Sequence, residues 1–199
     1  MLSIEGQVSV AQTLKHRTEE NHMALEAMLL PHLHALQTPE DYSQLLKAFY
    51  GYFKPVEALI LHHLNKKILP DIEHRRKADF ILKDLTSLKT HIANLPLATA
   101  LPAIGNLYQA LGALYVLEGS TLGGRGITKM LMKNVGLQLQ ADQLQFFNGY
   151  GTATGSMWTS FIQMLNQLKI TGAEKETMIG AANETFLFFK NWLQLRLNG

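Results

Sequence analysis

The chain has 199 residues, 47% of them apolar and 17% charged, with a formal net charge of +2 and no cysteine. That length and apolar fraction suit one globular domain with a sizeable core. The missing cysteine excludes disulfides, thiolate catalysis, zinc knuckles and iron–sulfur ligation, and the scattered basic residues offer no nucleic-acid surface.

No basic-then-apolar leader opens the sequence, and no apolar run approaches the roughly 20 residues of a membrane helix, so a soluble cytoplasmic protein is expected. Apolar residues recur at helical rather than two-residue spacing, which predicts an all-α fold, a multi-helix single domain over residues 1–199. Met1 to Val8 reads as an N-terminal arm. Ser9 followed by Gln12 forms a capping box that opens a first helix over about Val10–Leu29, ended by Pro31.

That first helix carries an unusual polar stripe. Lys15, Thr18, His22 and Glu26 recur at helical spacing on one face, where a core-facing stripe would be apolar. A histidine that binds iron through one ring nitrogen has its other N–H held by a carboxylate or carbonyl, and Glu26 sits one turn away to do so. Lys15 stands two turns back, about 10 Å along the axis, within reach of a carboxylate on a ligand bound at His22. A solvated helix face that happens to contain a histidine is the plainer alternative.

Thr38-Pro39-Glu40-Asp41 starts a second helix, with a capping residue, proline in the first turn and acids against the dipole; it runs to about His63, with Pro55 as a kink. A third helix spans about Asp71–Leu85. Asn94–Pro102 is a loop, and the fourth helix starts near Pro102. Gly119, Gly123, Gly124 and Gly126 then interrupt it within eight residues. Each glycine inside a helix costs roughly 1 kcal/mol against alanine, so the bare backbone must serve a purpose. Gly119 and Gly123 share a face, so the helix can bend there and let a flat ligand lie against its peptide groups. Close helix–helix packing through small residues is the alternative. A short helix over Asp142–Asn148, another from Thr154-Gly155 through Lys169, and a last one capped by Thr171 and ending near Leu197 complete the chain.

An imidazole on one helix and bare glycine backbone on another describe a haem sandwich. The elements Leu14-Lys15-x-x-Thr18-x-x-x-His22-x-x-x-Glu26 and Leu114-Tyr-Val-Leu-Glu-Gly119-Ser-Thr-Leu-Gly123-Gly124 resemble the heme oxygenase family, in particular its bacterial branch that supplies biliverdin to phytochromes or releases iron. Tyr50-Gly51-Tyr52, Trp158-x-x-Phe161 and the closing Phe186-x-x-Phe189-x-x-Trp192 extend the resemblance along nearly the whole chain.

The resemblance implies that haem is both substrate and oxygen-activating centre, cleaved to biliverdin, carbon monoxide and ferrous iron. His22 would be the axial ligand, with Thr18 and Glu26 beside it and Lys15 on a propionate. Gly119, Ser120, Gly123 and Gly124 would form a kinked distal helix, with Gly119, Ser120 and Gly123 serving catalysis. Electrons would come from a separate donor such as a ferredoxin or reductase, because the chain has no flavin or nicotinamide motif. Two positions depart from the family pattern. Ser120 stands where the best-known branch has aspartate, and Phe53 where some bacterial relatives have histidine, which implies a drier distal pocket. The Gly155–Leu168 helix lacks propionate-binding basic residues, leaving Arg125, Lys129 and Lys133 as substitutes.

Three other readings fit parts of the sequence. A non-catalytic haem carrier or sensor on the same fold would suit Ser120 and Phe53. A di-iron carboxylate bundle would use Glu19-x-x-His22 and Asp71-x-x-His74, with Glu57 and Glu118 as further ligands. A helical interaction module would leave His32, His34, His62 and His63 on solvated faces and make Phe186, Phe189 and Trp192 a core stripe.

Overall fold

The structure is a computed structural model and describes residues 9–198. The expected N-terminal arm, residues 1–8, lies outside that range. Every regular element among the described residues is helical: α1 (Val10–Ala35), α2 (Pro39–His63), α3 (Asp79–Ser87), α4 (Leu107–Lys133), α5 (Gln145–Asn148), α6 (Thr154–Gln167) and α7 (Gly172–Leu197). None is long and apolar enough to cross a membrane.

The helix starts follow their caps. Ser9 and Gln12, Thr38 and Asp41, and Thr171 and Glu174 each form a reciprocal capping box at the head of α1, α2 and α7. Asn106 accepts the Gln109 N–H, which places the start of α4 at Leu107, a turn later than Pro102. The other departures also have local causes. Pro31 does not end α1: it forfeits one backbone hydrogen bond, but buried Leu33 and Leu36 keep the following turn on the core. The expected helix over Asp71–Leu85 is divided. A single turn, Ile72–His74, is followed by irregular backbone, and α3 begins at Asp79. Glu57 of α2 accepts the Ala78 N–H there at 2.6 Å and holds the chain at that break.

α7 packs against both α1 and α4. Gly112 makes the second of these contacts possible, because a methyl group at that position would run into the Met178 carbonyl. The Trp192 indole donates to the Ala48 carbonyl and the Tyr52 hydroxyl to the Thr185 carbonyl, both at 2.7 Å, tying α7 to α2. An aromatic cluster of Phe49, Phe53, Phe146 and Phe189 packs largely edge to face at the centre.

Candidate functional site

A cavity of about 400 Å³ opens between α1 and α4. Lys15, Thr18, His22 and Glu26 line its α1 side, and Gly119, Ser120 and Gly123 line the α4 side. Phe186 and Phe189 of α7 and Phe146 and Phe147 of α5 supply apolar walls. An apolar slot with a few convergent polar groups is the usual form of a small-molecule site.

The polar stripe of α1 therefore faces the cavity. The His22 imidazole is half-exposed, at 51% for its side chain, and its ring lies 5.5 Å from that of Phe186. Its Nε2 is 3.4 Å from Glu26 Oε1, a contact that leaves the other ring nitrogen without a partner among the described residues. Thr18 is buried and donates to the Leu14 carbonyl at 2.8 Å, which fixes its hydroxyl within the helix. Behind the stripe, Asn21 donates to Asn183 at 2.7 Å and Arg17 pairs with Glu176, so the outer face of α1 is anchored on α7.

The glycines of α4 serve different ends, and the helix runs through all of them without a break. Gly124, expected among the ligand-binding glycines, does not line the cavity. It faces the Phe147 backbone, where any Cβ would collide with the carbonyl, so close packing explains it. Gly119 and Gly123 line the cavity, and neither is required by packing. A Cβ at Gly119 would make an ordinary 3.6 Å contact with Trp158, and one at Gly123 would meet nothing within 4 Å. The bare backbone at these two positions is thus available to a ligand.

One cation on the α4 side was not visible in the sequence. Arg76 lines the cavity and donates through Nη2 to the Leu117 carbonyl and to Ser120 Oγ, both at 2.7 Å. Its guanidinium lies 4.3 Å from the centre of the Phe146 ring and 5.5 Å from that of Phe53. Burial lowers its pKa, and the charge of nearby Glu118 opposes that shift. In sequence Arg75-Arg76 falls inside the expected Asp71–Leu85 helix and belongs to no motif; the break before α3 is what turns both residues inward. Arg125, Lys129 and Lys133 are exposed and do not line the cavity, which leaves Lys15 and Arg76 as the lysine and arginine lining it among the described residues.

The aromatic wall has its own support. Buried Asp84 of α3 accepts the backbone N–H groups of Gln145 and Phe146, each at 2.9 Å, at the head of α5. Burial pushes its carboxyl up to about 6 against the opposing effect of those two hydrogen bonds.

Three of the four carboxylates that a di-iron site would use are engaged elsewhere, and Glu19 lines the cavity without them. Asp71 and Glu118 both bind Arg75, and Glu57 holds the Ala78 N–H. No group of three or more metal-ligating side chains converges among the described residues.

A family model described as heme oxygenase matches residues 8–195. The fold is similar to that of heme oxygenase from Leptospira interrogans, with a TM-score of 0.74 at 18% identity, over 94% of this chain and 99% of that one. Heme oxygenase from Neisseria meningitidis, solved with NO and CO bound, gives a TM-score of 0.71 at 23% identity, over 96% and 94% of the two chains. Heme oxygenase-1 from Synechocystis sp. PCC 6803, solved in complex with heme, gives 0.72 at 17% identity, again over 96% and 94%. No curated protein matches the chain.

Proposed function

Because the chain belongs to the heme oxygenase family of oxygen-dependent haem-degrading enzymes, we propose that it cleaves haem to biliverdin, carbon monoxide and ferrous iron, using electrons from a separate ferredoxin or reductase. The observation that supports this reading is that His22 of α1 and the bare backbone of Gly119 and Gly123 of α4 line one largely apolar cavity.

These residues fit haem by their chemistry. Haem bound in the slot supplies the oxygen chemistry itself, being both reagent and substrate. The chain contributes position, water exclusion and protons. His22 offers an imidazole nitrogen to the iron, with Glu26 steadying the ring. Lys15 at the rim takes a propionate. Gly119 and Gly123 let the helix backbone approach the oxygen-binding face. Arg76, with Ser120 at its tip, is the charged donor on that face. Phe53, Phe146 and the α7 aromatics keep bulk water from the remaining edges.

The product suits either a phytochrome that takes biliverdin as its pigment or a cell recovering iron, and both uses run the same reaction. The experiment is to mix protein with hemin, add a reductant and air, and follow the Soret band and the rise of biliverdin absorbance. Loss of the Soret band with biliverdin formed supports the reading. A stable haem complex whose ring never opens would make the protein a carrier, and no hemin binding would remove haem from the account.

A further inference from the structure

Arg76 stands on backbone without regular structure, between the Ile72–His74 turn and α3. A side chain on such a segment keeps a fixed direction only if the chain beneath it is held. Arg75 is extended, with φ −73° and ψ 149°, and neighbours on extended backbone point to opposite sides. Arg76 reaches Ser120 at the cavity. Arg75 reaches the other way, to Glu118 Oε2 at 2.6 Å, to Asp71 at 2.8 and 3.0 Å, and to the Met157 carbonyl at 3.2 Å.

Glu118 grips this segment twice. It binds the Arg75 guanidinium directly, and the two side chains are only 1% and 3% exposed. It also accepts the Tyr150 hydroxyl at 2.8 Å, and that hydroxyl in turn accepts the Arg76 backbone N–H at 2.7 Å. Burial works against the charge of Arg75, yet Glu118 and Asp71 more than offset it and raise its pKa. A buried ion pair is a weak source of stability, because desolvation consumes most of its attraction; what it supplies here is direction. Glu118 immediately precedes Gly119, so the anchor sits on the same turn of α4 that bares its backbone to the cavity. Arg76 itself has no carboxylate in contact among the described residues, and its guanidinium is met by carbonyls, one hydroxyl and two ring faces.

We propose that Glu118 and Tyr150 are positioning residues for Arg76: they clamp residues 75–76 onto α4 so that the Arg76 guanidinium stays on Ser120 at the wall of the cavity. Its consequence for turnover rests on the haem reading above, whereas the clamp does not.

The test uses the full chain labelled with ¹⁵N at arginine. In the wild type, the Arg76 Nη protons held by Leu117 and Ser120 give slowly exchanging guanidinium signals, identified by their loss in Arg76→Lys. Tyr150→Phe and Glu118→Gln are expected to collapse those signals to the averaged pattern of a free arginine. Hemin affinity should stay close to that of the wild type, while turnover falls on the order of 10- to 100-fold. Protected Arg76 signals in both variants would overturn the clamp, and collapsed signals with unchanged turnover would overturn its consequence for the reaction. Tyr150→Phe deletes one hydroxyl and fills the same space, so it decides the matter if Glu118→Gln, which strips a partner from buried Arg75, fails to fold. Failure of the wild type to bind hemin would remove the haem reading instead, and the guanidinium signals would still decide the clamp.

Discussion

The Ser120 hydroxyl stands between Arg76 and its own helix, accepting from Arg76 Nη2 at 2.7 Å while donating to the Leu117 carbonyl at 2.7 Å. A serine has one proton to give, and here the helix takes it. The hydrogen-bond donors left on the distal wall are therefore the Arg76 N–H groups not taken by Leu117, Ser120 and Phe146, or water that they order.

Ser120→Ala should accordingly be mild. It removes one acceptor from Arg76, a loss of about 1 kcal/mol in stability, and leaves the guanidinium on the Leu117 carbonyl. Arg76→Leu should lower turnover far more, because it removes the charge and strands the Ser120 acceptor. Denaturant unfolding and single-turnover rates compare the two variants. A larger activity loss in Ser120→Ala than in Arg76→Leu would make the serine the donor.

Neighbouring glycines on α4 should respond oppositely to a methyl group. Gly124→Ala forces a Cβ into the Phe147 carbonyl, which is backbone and cannot swing aside, so the ligand-free protein should lose about 1–3 kcal/mol. Gly123→Ala meets nothing and should gain up to about 1 kcal/mol from helix propensity. In the presence of hemin the order reverses: Gly123→Leu and Gly119→Leu should keep a folded chain yet block turnover. Thermal unfolding of the ligand-free variants checks the first half, and the rise of biliverdin absorbance with hemin, reductant and air checks the second. Equal stability of Gly123→Ala and Gly124→Ala would remove the distinction between cavity and packing glycines.

The two helices of the site could be read from residue spacing because each carries a local contradiction: polar residues where α1 should be apolar, and glycines where α4 should be rigid. Caps and helical periodicity likewise located α1, α2 and α7. What spacing could not separate was Gly123 from Gly124, adjacent residues whose roles depend on whether Phe147, more than twenty residues away, lies against one of them. Arg76 was hidden for a related reason. Its burial depends on a break before α3 that is stabilised by distant partners, Glu57 and Glu118, and no local pattern announces it. Pro31 misled in the opposite sense, since the local rule to stop a helix lost to the burial of Leu33 and Leu36.

His22→Ala should separate ligation from folding. The ring is half-exposed and, among the described residues, is held by Glu26 and Phe186, so unfolding of the ligand-free protein should shift by no more than about 0.5 kcal/mol. Its hemin complex, in contrast, should lose the Soret and ferric spectra of the wild type, and added imidazole should restore them in part. An unchanged spectrum in His22→Ala would assign the axial position to another group.

Acidification should tighten the fold through Asp84. Its folded-state pKa, about 6, lies above the ordinary aspartate value near 3.8, because burial penalises the charge more than the Gln145 and Phe146 N–H groups favour it. Folding therefore takes up a proton between those two values, and the stabilisation present below pH 4 is lost as pH rises through 6. Asp84→Asn keeps an acceptor oxygen but cannot titrate. The stability difference, wild type minus Asp84→Asn, should rise by about 1 kcal/mol on going from pH 7 to pH 5. Urea unfolding of both proteins at the two pH values measures it. A flat or falling difference would mean that the two backbone donors, rather than burial, set the Asp84 charge, and α5 with its Phe146 and Phe147 wall would then be held best above neutrality.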